Sequence, residues 1–94
     1  MYGVIIEAAI NGSTRKQTNP NVPVSVSELV ADALACFEAG AGIVHQHDDF
    51  AAVAEPGARG MAALAAAVYR EVLAVVPDAL LYPTANFPAG PDGL

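Results

Sequence analysis

The length, composition and charge of this chain set the first bounds on its class. Its 94 residues are 54% hydrophobic with a net charge of −6, which excludes a disordered chain and, with only four basic side chains, argues against nucleic acid or an anionic membrane as a partner. Alanine is the commonest apolar residue and tryptophan is absent, so a core built by this chain alone would be thin. We therefore expect residues 1–94 to be one partial domain of a larger body.

The N-terminal apolar run, GVIIEAAI, does not have the features of a signal peptide or of a membrane span. No basic stretch precedes it, and it is too short for a signal-peptide core or a membrane span. The sequence therefore predicts a cytoplasmic protein without a membrane partner.

A single cysteine, Cys36, cannot form a disulfide within the chain, and we interpret it as a small buried side chain without a catalytic role.

The first predicted element is a strand. Residues 2–10, YGVIIEAAI, form a β-branched apolar run that predicts a buried strand with one unexpected charge, Glu7, and that ends at the turn sequence Asn11-Gly12. Residues 13–24 are polar, contain two prolines and show no period, so they predict a loop. Because long ordered loops in α/β proteins often carry function, this loop is a candidate for substrate contacts.

A capping box predicts the start of the first helix. Ser25 and Glu28 have the S-x-x-E spacing, apolar residues follow at three- and four-residue intervals, and Gly40 provides a left-handed stop after about Ala39. Residues 42–47, GIVHQH, then predict a second strand whose C-terminal end carries both histidines of the chain.

The second half predicts another helix and another strand. Residues 58–76 carry an apolar stripe and are followed by Pro77; the stripe comprises Met61, Leu64, Val68, Val72 and Val75. Residues 79–87, ALLYPTANF, begin as a third strand in which Pro83 is tolerable only near the end.

The order strand, helix, strand, helix, strand predicts an α/β fold with a parallel sheet and helical crossovers. Three strands do not complete such a sheet, because buried parallel strands need both faces covered. We expect the chain to be the first part of a larger α/β body, either as a truncated gene product or as a piece completed by other copies of the chain in a homo-oligomer.

The two histidines predict a metal site. His45 and His47 are two residues apart in a strand, so their imidazoles point to the same side, and neutral imidazoles bind zinc and related metals. Functional sites of parallel α/β folds lie at the C-terminal ends of strands, where this pair falls. The alternative is two polar side chains that form hydrogen bonds with a loop. Asp48 and Asp49 follow, as candidates for a third ligand, for orienting an imidazole, or for plain solvation.

Three hydroxyl residues follow predicted strands. Ser13 and Thr14 come after the first strand and Thr84 follows the apolar start of the third, so all three are expected at the same edge as the histidines. Each hydroxyl offers a donor and lone pairs to a substrate carboxylate or carbonyl. The alternative is that they are ordinary turn residues.

These motifs resemble a known family. The segment AAINGSTRKQTNPNVPVSVSELVADALACFEAGAGIVHQH, and the later VYREVLAVVPDALLYPT, are similar to the β-keto acid cleavage enzymes, the group named for 3-keto-5-aminohexanoate cleavage enzyme. The most specific pieces are NPNVP, ACFEAGAGIVHQH and the spacing between them. The resemblance covers nearly the whole chain.

The resemblance implies a fold and a reaction. The family fold is a TIM (β/α)₈ barrel, of which this chain would be the N-terminal strand-helix-strand-helix-strand portion. The implied reaction is a zinc-dependent, retro-Claisen-type acyl exchange of a β-keto acid with acetyl-CoA, giving acetoacetate and a new CoA thioester. His45 and His47 would be the Zn²⁺ ligands, and Ser13, Thr14 and Thr84 would contact the substrate.

Two departures from the family pattern are visible. Asp48 and Asp49 stand where the family usually has an apolar residue and an arginine, a change that disfavours an anionic substrate. A barrel of this kind needs about 250 residues, so the family's glutamate ligand, catalytic aspartate and carboxylate-binding arginine would lie beyond Leu94. The isolated chain is therefore expected to be inactive.

Two other interpretations remain open at this point. An amidohydrolase-like barrel hydrolase also ends a strand with H-x-H, although normally its first strand. A non-catalytic remnant, assembling through its apolar sheet, is the other alternative.

Overall fold

The computed structural model describes residues 3–48 and 57–84, which contain three strands and two helices in the predicted order. The strands are β1 (Glu7–Ala9), β2 (Ile43–Gln46) and β3 (Leu80–Pro83), and the helices are α1 (Val26–Glu38) and α2 (Gly57–Val75). Residues 49–56, which include Asp49, and residues 85–87 of the predicted third strand lie outside the described residues.

The three strands form one parallel sheet in the order β1-β2-β3. Ala9 pairs with His45, and His45 pairs with Tyr82. This confirms the α/β class and the parallel sheet. Since all three strands run the same way, the residues that follow them meet at one edge.

Helix α1 begins and ends as its sequence predicts. The Ser25 hydroxyl accepts from the Glu28 amide at 3.2 Å, and Glu28 Oε1 accepts from the Ser25 amide at 3.1 Å, so the capping box is confirmed. At the other end, Gly40 has φ +110° and Ala41 donates to the Cys36 carbonyl, as in a Schellman stop.

The core lies between the two helices and one face of the sheet. Its five innermost side chains are at most 1% exposed: Leu29, Ala33, Val44, Val68 and Val72. Cys36 packs against this core but is only partly buried, so it is less buried than the sequence interpretation expected.

The helix α2 differs from the prediction in one residue of its stripe. Val68 and Val72 are fully buried, but Val75, the last residue of the helix, is 64% exposed. Among the described residues, neither helix combines the length and the apolar character needed to cross a membrane.

The prediction of a buried strand over residues 2–10 is wrong in extent and burial. Within the described residues 3–10, Glu7–Ala9 alone form strand, and Val4 and Ile5 are 87% and 79% exposed. The physical reason is that β1 is an edge strand of the described sheet and pairs with β2 alone, so apolar character by itself cannot bury it. Strand β3 ends at Pro83, where the missing amide of proline costs least.

Candidate functional site

The candidate site lies on the sheet face opposite the helices and at the edge formed by the strand C-termini. Val44 and Leu81 face the helices and pack in or against the core. Since side chains alternate along a strand, His45 and Tyr82 lie on the other face. That face carries the predicted metal ligands.

The two histidines lie side by side, as their spacing predicts. The ring centroids of His45 and His47 are 5.2 Å apart, with an interplanar angle of 70°. Both side chains are half-buried, whereas Gln46 between them is buried on the helix side. The pair therefore presents two imidazoles to one region of space.

The hydrogen bonds of His45 define which of its nitrogens carries the proton. Nδ1 lies 3.0 Å from the Tyr82 carbonyl oxygen, which only accepts, so Nδ1 must be the donor. In the neutral ring Nε2 then holds a lone pair, and it accepts from the Thr84 hydroxyl at 3.0 Å. The nitrogen that faces Thr84 is consequently the one able to bind a metal.

Tyr82 supports His45 in a second way. Its ring stacks on the imidazole with centroids 4.2 Å apart and an angle of 24°, and its hydroxyl donates to the Glu7 carboxylate. This hydrogen bond to Glu7 raises the pKa of Tyr82. The unexpected charged residue of the first strand, Glu7, is thus bound by the tyrosine that stacks on His45.

The Asp48 carboxylate contacts Gln46 and does not form a three-ligand group with the histidines. Its Oδ1 accepts from Gln46 Nε2 at 2.7 Å, and burial raises the pKa of its carboxyl against the opposing effects of Gln46 and the His47 charge. Across residues 3–48 and 57–84, no group of three or more histidine, cysteine, aspartate or glutamate side chains could hold a metal ion.

A cleft of about 210 Å³ opens beside His47. Its lining brings together predicted site residues from three separate segments of the sequence: Ser13, Thr14, His47 and Thr84. His45 is outside this lining and reaches the cleft through Thr84. Arg15 and Asp48 also line the cleft, so it offers a charge of each sign to a ligand.

The sequence reasoning missed three residues of this site. Asn11 was expected only to begin a turn, yet its side chain forms hydrogen bonds with the backbone of His47. Tyr82 gave no signal beyond strand propensity, and the only signal for Glu7 was a charge in an apolar run. These contacts join residues 36 to 75 positions apart, which no local pattern reveals.

Comparisons with known proteins agree with the motifs. The family model described as beta-keto acid cleavage enzyme matches residues 3–90. The chain is 52% identical over 56 residues to 3-oxoadipate:acetyl-CoA acetyltransferase of Cupriavidus necator, a match that covers 55% of this chain and 20% of the relative. It is 46% identical over 48 residues to 3-keto-5-aminohexanoate cleavage enzyme of Acetoanaerobium sticklandii, covering 50% of this chain and 18% of the relative. The matches thus span about a fifth of each relative's length.

Proposed function

Because the chain belongs to the β-keto acid cleavage enzyme family, we propose that its protein cleaves a β-keto acid with acetyl-CoA, giving acetoacetate and a new CoA thioester. The names of the two relatives support this reaction class, since one specifies 3-oxoadipate and acetyl-CoA and the other cleavage of 3-keto-5-aminohexanoate. The observation that carries the proposal is the pair of adjacent imidazoles at the C-terminal edge of a parallel sheet.

We infer that His45 and His47 hold a divalent zinc ion. Imidazole is a standard zinc ligand, and the donor set fits the metal because the Tyr82 carbonyl fixes the His45 tautomer with an unprotonated Nε2. When bound, zinc would polarise the keto group of the substrate. The family resemblance implies that a glutamate from a late strand completes the ligands.

The substrate role of the hydroxyls belongs to the same proposal. Ser13, Thr14 and Thr84 share the cleft with His47, and each hydroxyl can donate to a carboxylate or carbonyl oxygen. Arg15, in the same lining, offers a positive charge that counters Asp48 and supports an anionic substrate.

We also infer that the three strands are the first part of a (β/α)₈ barrel. All strands are parallel in sequential order, and apolar side chains on the β1 edge and on β3 stay exposed in the described residues, among them Ile5, Ile6 and Leu80. Further parallel strands would cover them.

Turnover is the direct test of this function. The full-length protein that contains residues 1–94 is incubated with zinc, acetyl-CoA and either 3-oxoadipate or 3-keto-5-aminohexanoate, and acetoacetate and CoA thioesters are measured by mass spectrometry. We expect acetoacetate from the unaltered protein, loss on chelation with recovery on zinc addition, and at least about a hundredfold loss in His45→Ala and His47→Ala, as for removal of a principal electrostatic group. Circular dichroism controls for folding.

Two outcomes would contradict the proposal. Full acetoacetate formation by both histidine variants would remove the metal pair from the reaction. Acid products that form without acetyl-CoA would indicate hydrolysis instead, as in an amidohydrolase-like barrel.

A further inference from the structure

The side chain of Asn11 forms two hydrogen bonds with the backbone of one predicted metal ligand. Asn11 Oδ1 accepts from the His47 amide at 2.8 Å, and Asn11 Nδ2 donates to the His47 carbonyl at 2.6 Å. One amide group thus satisfies both backbone groups of the same residue. Nothing in the turn sequence Asn11-Gly12 predicts this contact.

These bonds continue the sheet where its backbone pairing stops. The ladder between the first two strands ends at Ala9 and His45, with one more bond from the Ile10 amide to the His45 carbonyl at 3.1 Å. His47 lies one residue beyond the end of β2, so its backbone has no strand partner on this side. The Asn11 amide takes the place of that partner and holds the backbone of His47.

A third bond joins the same side chain to the first loop. Asn11 Nδ2 also donates to the Pro23 carbonyl at 3.2 Å, and Pro23 is buried. Asparagine combines an acceptor with two donors at this reach, whereas aspartate keeps only the acceptor when ionised. The three bonds therefore require the amide and hold His47 at a defined distance from the loop that lines the cleft.

We propose that Asn11 is a positioning residue for His47, holding its imidazole beside His45 in the arrangement that a shared metal ion needs. The inference rests on the proposed function, because it assigns a role relative to zinc. It goes further by naming a neutral side chain, two residues beyond the end of β1, that sets the ligand geometry. Partners behind a metal ligand commonly change metal affinity ten- to a hundredfold when removed.

The test compares three variants of the full protein. Asn11→Ala removes all three bonds, and Asn11→Asp retains the acceptor for the His47 amide. Asn19→Ala is the matched control, since the Asn19 side chain accepts from the exposed Asn21 amide and, within the described residues, has no bond to His47. The readouts are zinc affinity by competition titration, the absorption spectrum of the Co²⁺-substituted protein, and hydrogen exchange at the His47 amide without metal.

Asn11→Ala should exchange the His47 amide faster, bind zinc about ten- to a hundredfold more weakly and shift the cobalt spectrum. Asn11→Asp should retain amide protection and recover part of the affinity, and Asn19→Ala should match the unaltered protein. Unaltered zinc affinity and cobalt spectrum in Asn11→Ala would overturn the inference while leaving the proposed function intact.

Two further results complete the test. If the unaltered protein binds no zinc, the proposed function fails and the inference fails with it, whatever the amide exchange shows. If Asn11→Ala does not fold, Asn11→Asp decides: zinc affinity at least threefold below that of the unaltered protein supports the positioning role, and equal affinity overturns it.

Discussion

At the scale of single residues, His45 has two nitrogens with different surroundings. Nδ1 donates to a carbonyl that is part of the β3 backbone, and Nε2 accepts from the Thr84 hydroxyl. A metal at Nε2 would replace the hydroxyl as the group at the lone pair and leave Thr84 free to donate elsewhere. Thr84 therefore has two successive partners in the proposed function, the imidazole and then the substrate.

Replacing Thr84 separates metal binding from substrate binding. Thr84→Val keeps the shape but removes the donor, so we expect zinc affinity within about threefold of the unaltered protein and kcat/KM about ten- to a hundredfold lower, as for one lost hydrogen bond to a charged group. Thr84→Ser, which keeps the hydroxyl, is the control and should retain most activity. An unchanged kcat/KM in Thr84→Val would exclude the hydroxyl from substrate binding.

The sequence predicted the grouping of the site better than its internal contacts. The spacing of His45 and His47 required adjacent rings, and the shared edge of parallel strands required Thr84 to lie near them; both are seen. The roles of Asn11 and Tyr82 depend on the pairing register, which brings residues 36 and 37 positions apart into contact. The register is a property of the assembled sheet and cannot be predicted from the sequence of either strand alone.

At the scale of elements, an ion pair between Lys16 and Glu28 joins the first loop to helix α1. Lys16 Nζ contacts Glu28 Oε2 at 2.6 Å and donates to the Val22 carbonyl at 2.8 Å. Glu28 also completes the capping box with Ser25. The loop that lines the cleft and the helix start therefore share one set of polar contacts.

Removing the cap should destabilise the protein measurably. Ser25→Ala leaves the Glu28 amide without its acceptor and should cost about 1 kcal/mol in the free energy of unfolding, measured by urea denaturation. Ser25→Asn retains a capping oxygen and should lose only a few tenths of that. Equal stability of Ser25→Ala and the unaltered protein would mean that the cap contributes nothing.

The same contacts predict a pH dependence. The hydrogen bond from Lys16, followed by those from Ser25, lowers the pKa of Glu28 from 4.5 to about 2. A lowered folded-state pKa contributes stability that is present above pH 4.5 and is lost as the pH falls toward 2. We expect an NMR titration of the Glu28 carboxyl to show this low pKa and Lys16→Met to raise it. A pKa near 4.5 in the unaltered protein would contradict the account.

The elements also show where apolar pattern fails as a guide. Helix α1 follows its predicted pattern because its caps act locally, and β2 and α2, apart from the exposed Val75, follow theirs because they contribute to the buried core. The first strand does not, because β1 is at the edge of the described sheet and Val4, Ile5 and Ile6 are left exposed there. The apolar sequence pattern shows which side chains of a strand could be buried, but the pairing of that strand with its neighbours determines whether they are.

At the scale of the whole molecule, the hydrophobic core and the candidate site lie on opposite faces of the sheet. One face holds the core with both helices, and the other carries the histidines, Tyr82 and Glu7. Substitutions in the core should therefore change stability before they change the site.

Leu29 tests this separation. It is 0% exposed in the centre of the core, so Leu29→Ala should lower the free energy of unfolding by about 2–5 kcal/mol. Leu73→Ala, on the exposed side of α2, is the matched control and should cost less than about 1 kcal/mol. Zinc affinity of folded Leu29→Ala should stay unchanged, and a loss of stability equal to that of Leu73→Ala would place the core elsewhere.

Zinc binding by the histidine pair is the central claim, and native mass spectrometry tests it most directly. The protein is measured with zinc present, alongside His45→Ala and His47→Ala, with circular dichroism to confirm folding. We predict one zinc ion for each chain in the unaltered protein and none in either variant. A protein without zinc, or variants that retain it fully, would contradict the assignment of His45 and His47 as metal ligands.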